Sequence, residues 1–292
     1  MLNIFVILIK SLKVNKASIL IANYNNGKYF KDCYDSIISQ NYEDWEVIIV
    51  DDCSTDDSVN IIKELVGNDK RFKLYKNSIN KGCGYTKRKC VELATGAFCA
   101  FLDPDDALAD HSLEQSIEEL ERNNKIVATY SQLVFCDEKL TPKNIFTKIK
   151  QVHNNKYFFN IPIQISALFV FKRDAYLQTS GINPTLKNAV DQDLYLKLLE
   201  IGNAKFIEKV LYKYRLHSSG ISQRTSKQSA KDSFAKVIHE SMKRRSLTKI
   251  NNLPVPENYT NSEEIYNLLT CQTKILYRLM NKIKTILNFP II

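Results

Sequence analysis

Three carboxylates crowd the end of one apolar run in "CAFLDPDDALADH", residues 99–111, where Asp103, Asp105 and Asp106 follow Cys99–Leu102 almost at once. Negative charge packed this tightly needs a cation. An Asp-x-Asp pair after a buried strand offers hard oxygen ligands to Mg2+ or Mn2+, and such an ion also grips phosphate oxygens. An Asp-rich turn with a helix cap accounts for the same residues as well, because Pro104 favours a turn and Asp110 can cap a following helix. An EF-hand loop does not. Asp103, Asp105 and Glu114 fall on its positions 1, 3 and 12, but Ala107 and Leu108 stand where it needs a ligand and a glycine. Two further polar clusters end apolar runs: Asn23 to Asn25 after "ASILIA", and Asp51 with Asp52 after "EVIIV".

These clusters meet only if strands deliver them to one edge. Apolar, β-rich runs begin at Ala17, Glu46, Phe72 and Ala97. Between them Phe30, Cys33/Tyr34 and Ile37/Ile38 recur at helical spacing, as do Val59, Ile62 and Leu65/Val66 after a cap at Asp56 or Asp57. A third helix spans Tyr85 to Ala94, with Gly96 placed to stop it. The alternation predicts an α/β fold: a mostly parallel central sheet with helices on both faces. Ligands bind such sheets at the carboxyl ends of the strands, where all three polar clusters fall. After a helix through Leu113, Ile117 and Leu120, strands over 126–135, 165–173 and 204–217 and a helix over 191–202 are expected to extend the same sheet. The glycines of "GCGYTK", 82–87, lack the spacing of a dinucleotide or P-loop fingerprint and are read as a turn.

Composition sets the class. Of 292 residues, 44% are hydrophobic and 25% charged, which excludes wholesale disorder. The formal charge of +9 is lopsided: residues 209–292 hold 15 Lys/Arg against 5 Asp/Glu. The basic character therefore belongs to the tail and to a partner surface. Ile265, Leu268/Leu269, Ile275/Leu276, Leu279/Met280 and Ile283 form an apolar stripe with Lys274, Arg278, Lys282 and Lys284 among the other positions. This basic helical C-terminal extension, 223–292, is expected to meet a membrane surface through 263–288, with packing back on the protein as the other reading. No recognised nucleic-acid module is present. Residues 1–16 are an apolar extension too short to span a bilayer and without the features of a signal peptide. Seven scattered cysteines, Cys33, Cys53, Cys83, Cys90, Cys99, Cys136 and Cys271, form no C-x-x-C pair and read as reduced thiols of a cytoplasmic protein. His111, His153 and His239 lack partners at metal-ligand spacing and read as surface or capping residues; Trp45 and "KYFF", 156–159, read as packing.

"SILIANYNNGKYFKDCYDSIISQNYEDWEVIIVDDCSTDDS", "NKGCGYTKRKCVELATGAFCAFLDPDD", "VDQDLYLKLLEIG" and "YRLHSSGIS" occur in that order. Together they resemble an inverting glycosyltransferase of family 2, over roughly 17–222. The resemblance implies the GT-A fold, with 17–106 as nucleotide-binding half and 107–222 as acceptor-binding half. It implies a nucleotide-sugar donor, UDP-linked, and a glycan or lipid-linked acceptor in polysaccharide assembly at the inner face of the cytoplasmic membrane. By the same resemblance Ala22 and Tyr24 line the uracil pocket, Asp52 accepts from the uracil imide and Arg88 lies near the nucleotide. Asp103 then meets the ribose or a metal-bound water, Asp105 and His217 hold Mn2+ or Mg2+, Asp106 is structural, and Asp191 is the general base. Val190 stands where the family often has Glu, and Gln192 separates Asp191 from Asp193. These departures, with the missing glycines before "ALFVFKR", motivate a second reading: a non-catalytic nucleotide-sugar or glycan-binding subunit of the same fold.

Overall fold

The computed structural model describes residues 15–218, 220, 227–270 and the single positions 274, 279 and 283. Its first half alternates as its apolar runs require: β1 (Ala17–Asn23), α1 (Phe30–Ile38), β2 (Trp45–Asp51), α2 (Ser58–Val66), β3 (Phe72–Lys76), α3 (Cys83–Leu93) and β4 (Phe98–Phe101). These four strands pair in parallel in the order β3-β2-β1-β4. All seven residues of β2 are buried, as a strand covered on both faces must be. Parallel register sets Asn23 beside Asp51 at the carboxyl edge.

The second half adds β5 (Ala107–Leu108), α4 (Ser112–Arg122), β6 (Ile126–Cys136), β7 (Pro142–Ile145), β8 (Phe169–Lys172), α5 (Arg173–Leu177), α6 (Val190–Leu199) and β9 (Asn203–Arg215). The nine-stranded sheet runs β3-β2-β1-β4-β8-β6-β9-β5, with β7 on β6. Four-residue β8 is antiparallel to both neighbours, β4 and β6, and joins the two halves. β6 and β9 are parallel, and β5 closes the far edge antiparallel to β9.

Beyond the sheet lie α7 (Lys227–Arg244), a short hairpin of β10 (Lys249–Ile250) and β11 (Leu253–Pro254), and α8 (Ser262–Leu269). They build a second core in which Ala235, Ile238, Met242, Ile265 and Leu269 pack with Phe159 and with Leu196 of α6. The first turns of the basic apolar stripe thus face the protein, not a membrane. Leu279 and Ile283 are exposed; the rest of 271–292 apart from Lys274, and residues 1–14, lie outside the described residues. Among the described residues no helix is long and apolar enough to cross a membrane.

Four local expectations change. α3 begins at Cys83, so "GCGYTK" is a helix start and not a turn. α4 is preceded by His111 in the left-handed region, φ 58, and Asp110 does not cap it. β7 arises in the polar interval after Cys136 from four exposed residues. His239 is buried in the second core, its Nε2 2.7 Å from the Pro256 carbonyl. The six described cysteines are free thiols; burial pushes Cys83 up to about 11 and Cys99 up to about 12.

Candidate active site

The carboxyl edge of β1 and β2 is organised by its own acids. Asn23 Nδ2 donates to Asp51 Oδ2 at 2.8 Å, and the Ser54 amide donates to Asp51 Oδ1 at 2.9 Å. Asp52 accepts from Asn77 Nδ2 and from the amides of Lys81 and Gly82 at 2.7–2.8 Å. The two amides just before α3 are therefore spent on Asp52, and the Gly84 amide inside its first turn donates to the Leu186 carbonyl at 2.9 Å. Ala22 is half-buried at the same strand end, and the Tyr24 ring, 44% exposed, stands open beside it.

The turn after β4 divides its three carboxylates. Asp106 is buried and accepts the Arg215 amide at 2.8 Å. Burial, with the charges of Asp105 and Asp103, holds it well above the usual carboxylate range, as suits a structural group. Asp105 Oδ2 meets His217 Nε2 at 2.8 Å. Arg215 fixes that meeting: its Nε donates to the Asp105 carbonyl at 2.6 Å, its Nη2 to Asp32 at 2.7 Å and its Nη1 to the Glu138 carbonyl. Its guanidinium lies 4.7 Å from the Tyr29 ring centre, and that ring packs on His217 at 4.5 Å.

Asp103 turns the other way. Lys87, from α3, places its Nζ 3.3 Å from Asp103 Oδ1 and 2.8 Å from Asp191 Oδ1. Burial works to lower the Lys87 pKa, but the charges of Asp103 and Asp191 outweigh it and hold the ammonium well above the usual lysine value. Burial and the charges of Asp191 and Asp105 raise the Asp103 carboxyl, against the pull of Lys87. Arg88 does not join them. Its guanidinium pairs with Glu92 at 2.8 Å and donates to the carbonyls of Ser180 and Ile182. The cation in the site is the residue before it, which sequence reasoning missed.

Asp191 sits in the first turn of α6, after Ala189 at φ 58. Its neighbours pin the loops on either side. Gln192 accepts from Asn160 at 3.0 Å and donates to the Phe159 carbonyl at 2.8 Å. Asp193 accepts from the Asn183 amide and from Lys197, both at 2.8 Å. A small pocket opens here, lined by Lys87, Asp103 and Asp191 over Phe101, Phe169 and Tyr195.

Among the described residues no group of three or more His, Cys, Asp or Glu stands ready to hold a metal ion alone. Asp105 and His217 offer one carboxylate oxygen and one imidazole nitrogen, a donor set that suits Mn2+ better than oxygen-preferring Mg2+. Two protein ligands leave most of a six-coordinate shell to phosphate and water. The residues thus fit an ion that arrives with a diphosphate.

A model of glycosyl transferase family 2 matches residues 18–179, more than half of the chain. The chain is 32% identical over 253 residues to the chondroitin synthase of Escherichia coli, covering 83% of this chain and 35% of that protein. It is 28% identical over 243 residues to the hyaluronan synthase of Pasteurella multocida, covering 82% and 24%. The chain thus spans only about a quarter to a third of the length of these curated relatives. In structure it is similar to residues 1–349 of S. aureus TarS in complex with UDP-GlcNAc, with a TM-score of 0.65, 18% identity, and coverage of 87% and 70%. The sheet order, the ordered motifs and the family match agree: the chain has the GT-A fold and belongs to glycosyl transferase family 2.

Proposed function

We propose that this chain transfers a sugar from a UDP-linked donor to a hydroxyl of a glycan or lipid-linked acceptor, with inversion, in the assembly of a polysaccharide. One observation carries the reading: Asp191 of α6 and Asp103 of the turn after β4, from the two halves of the fold, share a single ammonium beside the Asp105–His217 pair. That arrangement sets a carboxylate for the acceptor next to groups for the donor. The names of the relatives, chondroitin and hyaluronan synthases, and the UDP-GlcNAc in the TarS structure, support a UDP-sugar donor and a polysaccharide product.

Asp191 takes the proton of the acceptor hydroxyl as its oxygen attacks the anomeric carbon. UDP leaves from the opposite face, so a single displacement inverts the centre; a covalent intermediate would need a second, nucleophilic carboxylate. Asp52, Tyr24 and Ala22 hold the uracil, and Asp103 holds the ribose. Asp105 and His217 would hold Mn2+ or Mg2+, which offsets the negative charge that grows on the diphosphate as the bond breaks.

The test begins with a thermal-shift screen of UDP-sugars in Mn2+, because a ligand of the native state raises the melting temperature. With the donor so found, Asp191→Asn is expected to lower transfer by about 10²–10⁴-fold, the usual reach of a general base, with the Kd of UDP within about twofold. Chelator is expected to stop transfer and Mn2+ to restore it. Full transfer by the variant sinks the base assignment, and an undiminished rate in chelator sinks the metal role. Binding without turnover on any acceptor favours the non-catalytic subunit.

A further inference from the structure

We propose that Lys87 is the positioning residue for the base: it pins one oxygen of Asp191 so that the other faces the acceptor, and it ties that carboxylate to the donor-side Asp103. The proposal rests on the reading of Asp191 as base.

Asp191 begins a helix, and its side chain is 48% exposed. An exposed carboxylate turns readily about its last torsion, which is broad and two-fold. Lys87 removes that freedom. Its side chain is only 7% exposed, so the bonded Oδ1 is held against a buried partner while the carboxylate as a whole stays open to solvent. The ammonium has little room to wander, with its Nζ 5.1 Å from the Phe101 ring centre in a pocket walled by Phe169, Leu194 and Tyr195. Burying a lysine is costly unless it is paired, and here two carboxylates from separate elements pair it. Three cations follow one another in α3, and only this one enters the site. Arg88 is spent on Glu92, and Lys89 donates to Asn77 Oδ1 at 2.8 Å.

A double-mutant cycle isolates this role from packing and from donor binding. The wild type, Lys87→Met, Asp191→Asn and the double variant are compared for transfer kcat, with UDP affinity in Mn2+ measured by calorimetry. Lys87→Met is expected to lower kcat by about 10–100-fold, the scale of a small misplacement, with UDP affinity within about twofold. The double variant is expected to be no more than about twofold slower than Asp191→Asn alone, because a residue that acts through Asp191 has nothing left to position. Lys87→Arg, which keeps the charge, is expected to recover part of the rate. Lys87→Gln serves as a second variant should Lys87→Met lose the wild-type circular dichroism spectrum. Additive losses, or a kcat unchanged in Lys87→Met and Lys87→Gln while Asp191→Asn is inactive, overturn this role alone. A parallel fall in UDP affinity also overturns it and puts Lys87 on the diphosphate. Full transfer by Asp191→Asn overturns both the base reading and the role built on it.

Discussion

Gly82 combines two requirements in one residue. Its φ of 88 lies where a side chain is strained, and its amide donates to Asp52 at 2.7 Å. Gly82→Ala meets no neighbour, since nothing lies within 4 Å of the added carbon. Its cost is therefore backbone strain alone, about 1–3 kcal/mol, because φ 88 with ψ 164 is a region used essentially only by glycine. A lower urea midpoint and a weaker UDP complex are expected, and an unchanged midpoint refutes the strain argument. The same stretch marks how far single residues were legible. Asp52, Asp103 and Asp105 stood out because charge at the end of an apolar run is conspicuous, whereas Asp191 ends no such run and stood out only through the resemblance. Lys87 did not, because it is one of three consecutive cations and Arg88 matched the resemblance by type. The helix phase held the missing signal: Lys87 lies three and four residues from Cys90, Val91, Cys83 and Gly84, and it shares their inward face, whereas Arg88 is turned about 100° away.

Elements with both faces covered were legible, and elements held by irregular chain were not. β1, β2 and β4 carry near-continuous apolar runs, as strands of a doubly covered sheet do. β7 is exposed along its whole length and carries no such pattern. The strand expected from residue 165 begins only at Phe169, since the chain before it is a loop shaped by polar contacts. Asn160 Oδ1 takes the amides of Gln164 and Ile165, and Asn160 Nδ2 reaches Gln192. Arg245, just past α7, braces that loop from behind. It donates to the carbonyls of Phe158, Lys156 and Leu196, pairs with Glu200 at 3.2 Å, and covers the Phe159 ring at 5.1 Å. Arg245→Ala leaves these partly buried carbonyls short of a donor and is expected to cost about 1–3 kcal/mol. Because the braced loop is tied to the first turn of α6, acceptor-dependent transfer is expected to fall more than UDP affinity does. Equal losses in both would show that the brace acts on the fold alone.

At the scale of the whole molecule the two ends of the sheet do opposite work. The amino end is locked by Glu46, 2% exposed, which accepts from Ser18 Oγ, Lys73 Nζ and both the amide and hydroxyl of Thr95 at 2.7–2.8 Å. Burial opposes its ionisation, but these donors prevail and bring its pKa from 4.5 down to about 2. A carboxylate depressed in the folded state stabilises above its unfolded pKa, and that contribution is lost as pH falls from 4.5 toward 2. The amount is on the order of 3 kcal/mol. Urea unfolding at pH 6 and pH 3 is expected to show the loss, and Glu46→Gln to flatten it; equal slopes in the two proteins sink the assignment. The carboxyl end is shaped instead by the leap from β4 to β5. Those strands are four places apart in the sheet order, which in a flat sheet is roughly 19 Å. The chain from Phe101 to Ala107 would have to run almost fully extended to cross it, at about 20 Å for six steps. It cannot, because a turn closes within it where the Asp106 amide meets the Asp103 carbonyl at 3.1 Å. The sheet must therefore roll up until its far edge leans over β4. The aspartates lie on the short cord that draws this far edge back toward the middle of the sheet.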